Sequence, residues 1–338
     1  MLKNQSVQTN VRILLSFVAA LVISVVLGAI THSSAYAASA NTLKVSPVRS
    51  DITVKPGETK IVETTISNIT GESITVAPIE NDFTSGDERG TPALILDANT
   101  YAPTHSLKRF LSPLANVTIP AGQSKTINVV ITVPKTAQAG GYFGAIRFAP
   151  ADPDGGGQVN LSASVASLIL LTVPGETVDK LELTDFSVQQ NGRNVTDVRT
   201  PDNMQVTFRF ENKGNLQAGP FGKISVTNGK NIVYSYDFNS TDPREVILPD
   251  SARRWDVPLD KIGTFGHYTV NATLTYGAKN QTVEVSKSFW VIPTFVILIA
   301  IGLALLLVIA IVILVIMFKK KRGVFRGRNR RRSNFRIR

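Results

Sequence analysis

Cysteine is absent from the chain, which excludes disulfides, thiolate catalysis, lipidation on sulfur and the commonest zinc ligand set. Histidine is nearly absent too: His32, His105 and His267 are the three present. The sequence lacks the zincin, nucleophile-elbow, phosphate-loop and dinucleotide motifs, so no nucleophile or phosphate cradle announces itself. The chain is therefore read as a non-enzyme with no cofactor and no small-molecule substrate. Spaced carboxylates suit a hard cation, and Asp152 and Asp154 ahead of Gly155–Gly157 offer that spacing. They lack the later bidentate acid of an EF-hand, and Asp/Pro/Gly is also ordinary turn chemistry. The stretch Asp82–Arg89 is no stronger, and no metal site is expected.

Charge is missing altogether from Phe295–Phe318, a run of 24 residues dominated by Ile, Leu, Val and Ala. As a helix it would extend about 36 Å, enough to cross a hydrocarbon core of about 30 Å with some tilt. Lys319, Lys320, Lys321 and Arg322 follow at once, and the tail to Arg338 holds 11 Lys/Arg and no acid. Short basic flanks stay on the cytoplasmic side, so everything before the span is expected outside. Trp290 and Pro293 stand where the helix enters from the outer interface, a usual place for an aromatic anchor. At the other end, Lys3 and Arg12 precede an apolar stretch, Ile13–Ile30. Small residues follow, with Ala35 and Ala37 framing a signal-peptidase site, and an uncleaved signal anchor is the alternative.

This placement changes the meaning of the net charge of +11. The tail carries all of that and Lys3 and Arg12 add two more, leaving residues 38–290 at about −2. The exported part has no basic bias, so nucleic acid is not an expected partner. The tail suits an anionic leaflet, at about 1 kcal/mol per basic residue near the surface.

Helical periodicity is nearly absent from residues 41–290, while period-2 alternation recurs. Tyr268, Val270, Ala272, Leu274 and Tyr276 alternate with Thr269, Asn271, Thr273 and Thr275, the pattern of a half-buried strand. Val206, Phe208 and Phe210 do the same, and Asn228-Gly229 between two such runs predicts a hairpin. A Pro-led turn, a strand, a loop and a Gly/aromatic strand recur at Pro120–Phe148 and Pro249–Tyr276. Each half also has an earlier alternating strand that ends in Asn, at Asn68 and Asn212. The fold class is an all-β ectodomain of two immunoglobulin-like β-sandwiches in tandem, followed by one transmembrane α-helix. The expected boundaries are 1–37 for the signal peptide, 38–175 and 176–290 for the sandwiches, 291–318 for the span and 319–338 for the tail. The apolar run Val165–Val173 is too short to span and reads as a strand buried on both faces or lying against the neighbouring domain.

Three stretches, Val54–Thr59 with Asn68, Val117–Gly122 and Gly140–Ile146, together with the Gly266–Gly277 strand, carry a family resemblance. In that order the chain resembles the WxL-interacting surface proteins of Gram-positive bacteria. The resemblance implies a first sandwich that binds peptidoglycan, a second that binds a host surface, one membrane helix and a basic tail.

Exposed strand aromatics are what a sugar-polymer binder would use. Tyr142, Ile146 and Phe148 share one face, assigned to the core, which leaves Phe143 and Arg147, with Lys108, Arg109 and Phe110, as the expected binding face. Leu248–Ala252 resembles a sortase signal but lies too far from the apolar span. Seven Asn-x-Ser/Thr triplets of the ectodomain, at Asn68, Asn116, Asn160, Asn194, Asn239, Asn271 and Asn280, read as polar strand faces unless the chain is eukaryotic. The expected function is non-catalytic surface binding from a membrane anchor, toward a cell-wall polymer or other surface proteins. The alternatives are a membrane-tethered assembly chaperone for exported subunits and a structural subunit of a membrane complex.

Overall fold

The computed structural model describes residues 43–151 and 164–327, with side chains as far as Lys319. The expected signal peptide with Ala35 and Ala37, the Asp152–Gly157 stretch and residues 328–338 lie outside the described residues.

The first sandwich packs two sheets. One is antiparallel, in the order β1 (Leu43–Ser46), β3 (Thr59–Asn68), β7 (Ser124–Thr132). The other runs β2 (Arg49–Thr53), β9 (Val165–Val173), β8 (Gly140–Pro150), β4 (Ile74–Ser85), with β5 (Pro92–Leu94) and β6 (Val117–Ile119) both paired to β4. The chain passes from one sheet to the other at the cis Ser46–Pro47 bond, so β1 pairs antiparallel with β3 while β2 pairs parallel with β9. Val62, Thr64 and Ile66 point inward from β3, while Ile61, Glu63 and Thr65 point out, because strand side chains alternate. The inward residues meet Val129 and Ile131 of β7, Ile146 and Phe148 of β8, and Ile169 and Leu171 of β9 in one core.

The second sandwich repeats the plan. One sheet runs β11 (Arg193–Asn194), β10 (Leu181–Gln190), β13 (Met204–Asn212), β16 (Ala252–Pro258). The other runs β12 (Asp197–Val198), β18 (Gln281–Val291), β17 (Gly266–Tyr276), β14 (Phe221–Asn228), β15 (Asn231–Phe238). Phe208, Phe210, Phe238 and Phe289 are fully buried between them, each contributing roughly 1.5–3 kcal/mol relative to exposure. The Asn228-Gly229 hairpin forms between β14 and β15, and Gly229, at φ 60°, supplies the left-handed residue a two-residue turn needs.

The repeat read in the sequence has one side-chain device in common. Asn68, at the end of β3, donates from Nδ2 to the carbonyls of Glu72, Ile119 and Pro120, and its Oδ1 accepts from the Thr70 amide. Asn212, at the end of β13, donates to the carbonyls of Leu216 and Ile247 and accepts from the Gly214 amide. Both are buried and pin the next loop to the Pro-led turn opposite.

After β18 a single helix, α1 (Thr294–Gly327), begins three residues beyond the start expected for the span and continues past the apolar run into the basic segment. It is long and apolar enough to cross a membrane, and none of its most apolar window is covered by the rest of the chain. Val291, expected to open the span, is instead the last residue of β18.

Candidate functional site

The two sandwiches meet through one continuous set of contacts. Phe83, Phe143, Ala145 and Leu170 of the first form an apolar cluster against Val246 and Leu248 of the second. Beside it, the β4–β5 connection reaches across: Glu88 Oε1 accepts from Nε and Nη2 of Arg209 at 3.0 and 2.7 Å, and the Glu88 carbonyl accepts from the Arg254 amide at 2.6 Å. Arg209 also bonds Glu211 at 2.8 Å, which bonds Lys213 at 2.7 Å. Hydrogen bonding and charge from Arg209 lower the Glu88 pKa, while Lys213 first and Arg209 second hold Glu211 down to about 2. Further along, Asn215 ties three segments together. Its carbonyl accepts from the Gly141 amide, its Nδ2 donates to Ala139, and its Oδ1 accepts from Val178 in the linker. Gln217 Nε2 donates to Thr172 Oγ1 at 3.1 Å. Apolar packing and directional bonds together make this a fixed joint, unlike a joint of exposed ion pairs alone.

At the Asn215 end the joint opens into a cleft of about 440 Å³, lined by Ala102–Ser106, Arg109, Gln138–Gly140, Tyr142 and Asn215. Its outer wall is the long connection between β5 and β6, and a buried carboxylate holds that connection in place. Asp82 accepts from the amides of Ala102 and Lys108 at 2.9 and 2.8 Å, so this acid is committed to the backbone. Asp87 is likewise committed to Thr91 and Arg89, which lower its pKa. Among the described residues there is no group of three or more His, Asp or Glu placed to hold a metal.

The cleft presents both hydrogen-bond donors and acceptors, with Arg109 the purely donating group. His105 sits at φ 60° with Nδ1 2.6 Å from the Gly141 carbonyl. A carbonyl only accepts, so Nδ1 carries the proton and Nε2 is left to a ligand. Tyr142 donates its hydroxyl to the Gln138 carbonyl at 2.9 Å, and burial raises its pKa. The Ser106 hydroxyl, in a residue 4% exposed, has no partner. A buried unpaired hydroxyl costs about 1–3 kcal/mol. Among the described residues Arg109 is the one formal charge in the lining, its guanidinium 4.6 Å from the centre of the Tyr101 ring, and no described carboxylate lines the cleft. Lys108 anchors the same turn by donating to the Ala98 carbonyl at 2.6 Å.

The expected binding face is corrected by this geometry. Phe143 is 3% exposed, because β8 lies between β4 and β9 and its second face is covered by the other sandwich. Phe110 is half-buried against Tyr142, at 4.8 Å between ring centres, and belongs to the first core. Arg147 donates to Asn81 Oδ1 at 3.2 Å and does not line the cleft. Of that set, only Arg109 lines it. Ser106, Gln138 and Asn215 gave no sequence signal of their own. The length of the β5–β6 connection did, since structureless loops of that length in a compact domain are usually functional.

No protein-family model matches this chain, and no curated protein matches it. Among solved structures, the chain is similar to a chaperone of the chaperone–tip adhesin complex for CFA/I fimbriae biogenesis. That match has 15% identity and a TM-score of 0.37, and covers 73% of this chain and 99% of the other. The E. coli chaperone DraB follows at 16% identity and TM-score 0.33, over 73% and 96% of the two chains. The CsuC–CsuE chaperone–tip adhesion subunit complex of Acinetobacter baumannii gives 9% and 0.34, over 72% and 98%. At these scores the likeness adds nothing to what the sheets themselves display.

Proposed function

We propose that this chain is a membrane-tethered, non-catalytic binding protein that grips a segment of an exported or surface protein in the cleft between its sandwiches, in the manner of an assembly chaperone. The observation that carries this reading is a cleft lined by polar groups around the Arg109 guanidinium, built across a fixed joint. Polypeptide carbonyls and carboxylates are acceptors, and a site that is rigid before binding avoids part of the ordering cost of association. α1 spans the membrane with the basic tail on the cytoplasmic side, which holds the cleft outside, where exported chains emerge.

A photo-crosslinking residue at Thr104 or Gln138 of the full chain, in its own membranes, tests this. Adducts should be polypeptides and should fall sharply in an Arg109→Ala background. Adducts only with glycan, or protein adducts indifferent to Arg109, would overturn it.

A second reading rests on a different surface. The outer face of β3 and β7 carries hydroxyl pairs at Thr59–Thr132, Thr65–Thr126 and Ser67–Ser124, 2.7 to 3.2 Å apart, in an open polar strip. The resemblance to WxL-interacting proteins implies wall contact by the first sandwich, and this strip is where a glycan would lie flat. Salt-resistant retention on insoluble peptidoglycan, lost on Thr65→Val with Thr126→Val, would support it; retention unchanged in that variant would not.

A further inference from the structure

One pole of the second sandwich is placed by the strand register at the start of α1. Gly266 pairs with Val291, His267 with Trp290, and the Ile292 amide donates to the Val198 carbonyl two residues before the helix begins. The same pole includes the loop Leu259–Phe265, which ends at Gly266. It also includes the Gly229-Lys230 hairpin, because Asn228 pairs with Tyr268 on one side and Asn231 on the other.

This pole gathers three of the exposed large apolar side chains of the second sandwich. Phe265 is 57% exposed, Ile232 68% and Trp290 47%, the last packed on His267 at 4.6 Å between ring centres. Lys230 and Lys261 stand exposed among them. Large apolar tips with lysines between them, at one level, match the interfacial zone of a bilayer, where aromatics sit among headgroups and amines meet phosphates.

We infer that this pole rests on the outer leaflet: Phe265 and Ile232 enter the headgroup region while Lys230 and Lys261 contact lipid phosphates. The occupant is the bilayer that α1 itself enters, because Phe295 must lie in hydrocarbon and Gly266, paired to Val291, is within a few residues of that depth. The ectodomain then stands upright on the membrane. The cleft, at the opposite end of strands of 11 residues, is held about 35 Å above the surface. This rests on α1 spanning the membrane as proposed above.

The absence of cysteine makes the test direct. Thr264→Cys, Lys230→Cys, Lys279→Cys and Leu305→Cys, each carrying an environment-sensitive fluorophore, are reconstituted as full chains in phosphatidylcholine/phosphatidylglycerol vesicles with nitroxide lipids. Positions 264 and 230 should be quenched by headgroup nitroxides several-fold more than 279, which lies at the far turn of the β17–β18 hairpin. Position 305 should be quenched by deep acyl-chain nitroxides. Phe265→Ser with Ile232→Ser should lower quenching at 264 without changing 305. Quenching at 264 and 230 no greater than at 279, with 305 still quenched, would overturn the leaflet contact and leave the anchor standing. Loss of quenching at 305 would overturn the anchor and this inference with it.

Discussion

Asn68 and Asn212 are small polar residues buried where a hydrophobe would pack, and they are retained because each serves backbone groups of a loop that has no ladder of its own. Truncating either leaves carbonyls and an amide buried without partners, at about 1–3 kcal/mol for each group not rescued by water. Asn212→Ala should therefore lower the stability of the second sandwich by roughly 2–4 kcal/mol. Denaturant unfolding of the full chain in detergent, followed through Trp255, would report it. A change below about 0.5 kcal/mol would mean that water replaces the side chain. The bonding also decides one of the seven sequons: the Asn68 amide is already committed to three carbonyls, so folded protein offers it to no glycosylating enzyme.

At the scale of elements, the β4–β5 connection is the clasp of the joint. Its only long-range charge contact of note is Glu88 with Arg209, and Arg209 leans on Glu211 in turn. Both carboxylates have folded pKa values below the unfolded one, so their contribution is complete above about pH 4.5 and is lost as pH falls through the folded values. For Glu211 that value is about 2. Protein held between pH 4.5 and 2 should thus show increased motion between the sandwiches while each core stays folded. Single-molecule distance measurement between labels on the two sandwiches should broaden in that range. Glu88→Gln should broaden it at neutral pH. A distribution unchanged as pH falls from 4.5 to 2 would show that the Phe143 cluster and Asn215 hold the joint alone.

For the whole molecule, membrane and fold set a direction. The apolar helix follows β18 after two residues, the tail is basic, and the first sandwich packs a face of β8 on the second. Protease added to intact cells should degrade the sandwiches and leave a short fragment carrying the basic tail. An ectodomain protected until the membrane is permeabilised would reverse the orientation and remove the proposed partners from reach.

By itself the sequence determined the class and the order of parts, because these depend on local pattern. Period-2 alternation marks strands, and an uncharged run marks a helix long and apolar enough to span a membrane. The paired Asn-ended strands were legible for the same reason, and so was the assignment of Tyr142, Ile146 and Phe148 to one face of β8. Alternation tells which residues share a face, but not what covers that face. Phe143 therefore looked as suitable for a ligand as for a neighbour, and only the packing of Val246 and Leu248 against it decided the matter. The cleft was hidden more deeply, since His105, Gln138 and Asn215 come from three loops far apart in the chain. Their meeting depends on Asp82 holding one loop and Asn215 joining the others, contacts between distant residues that no local period encodes.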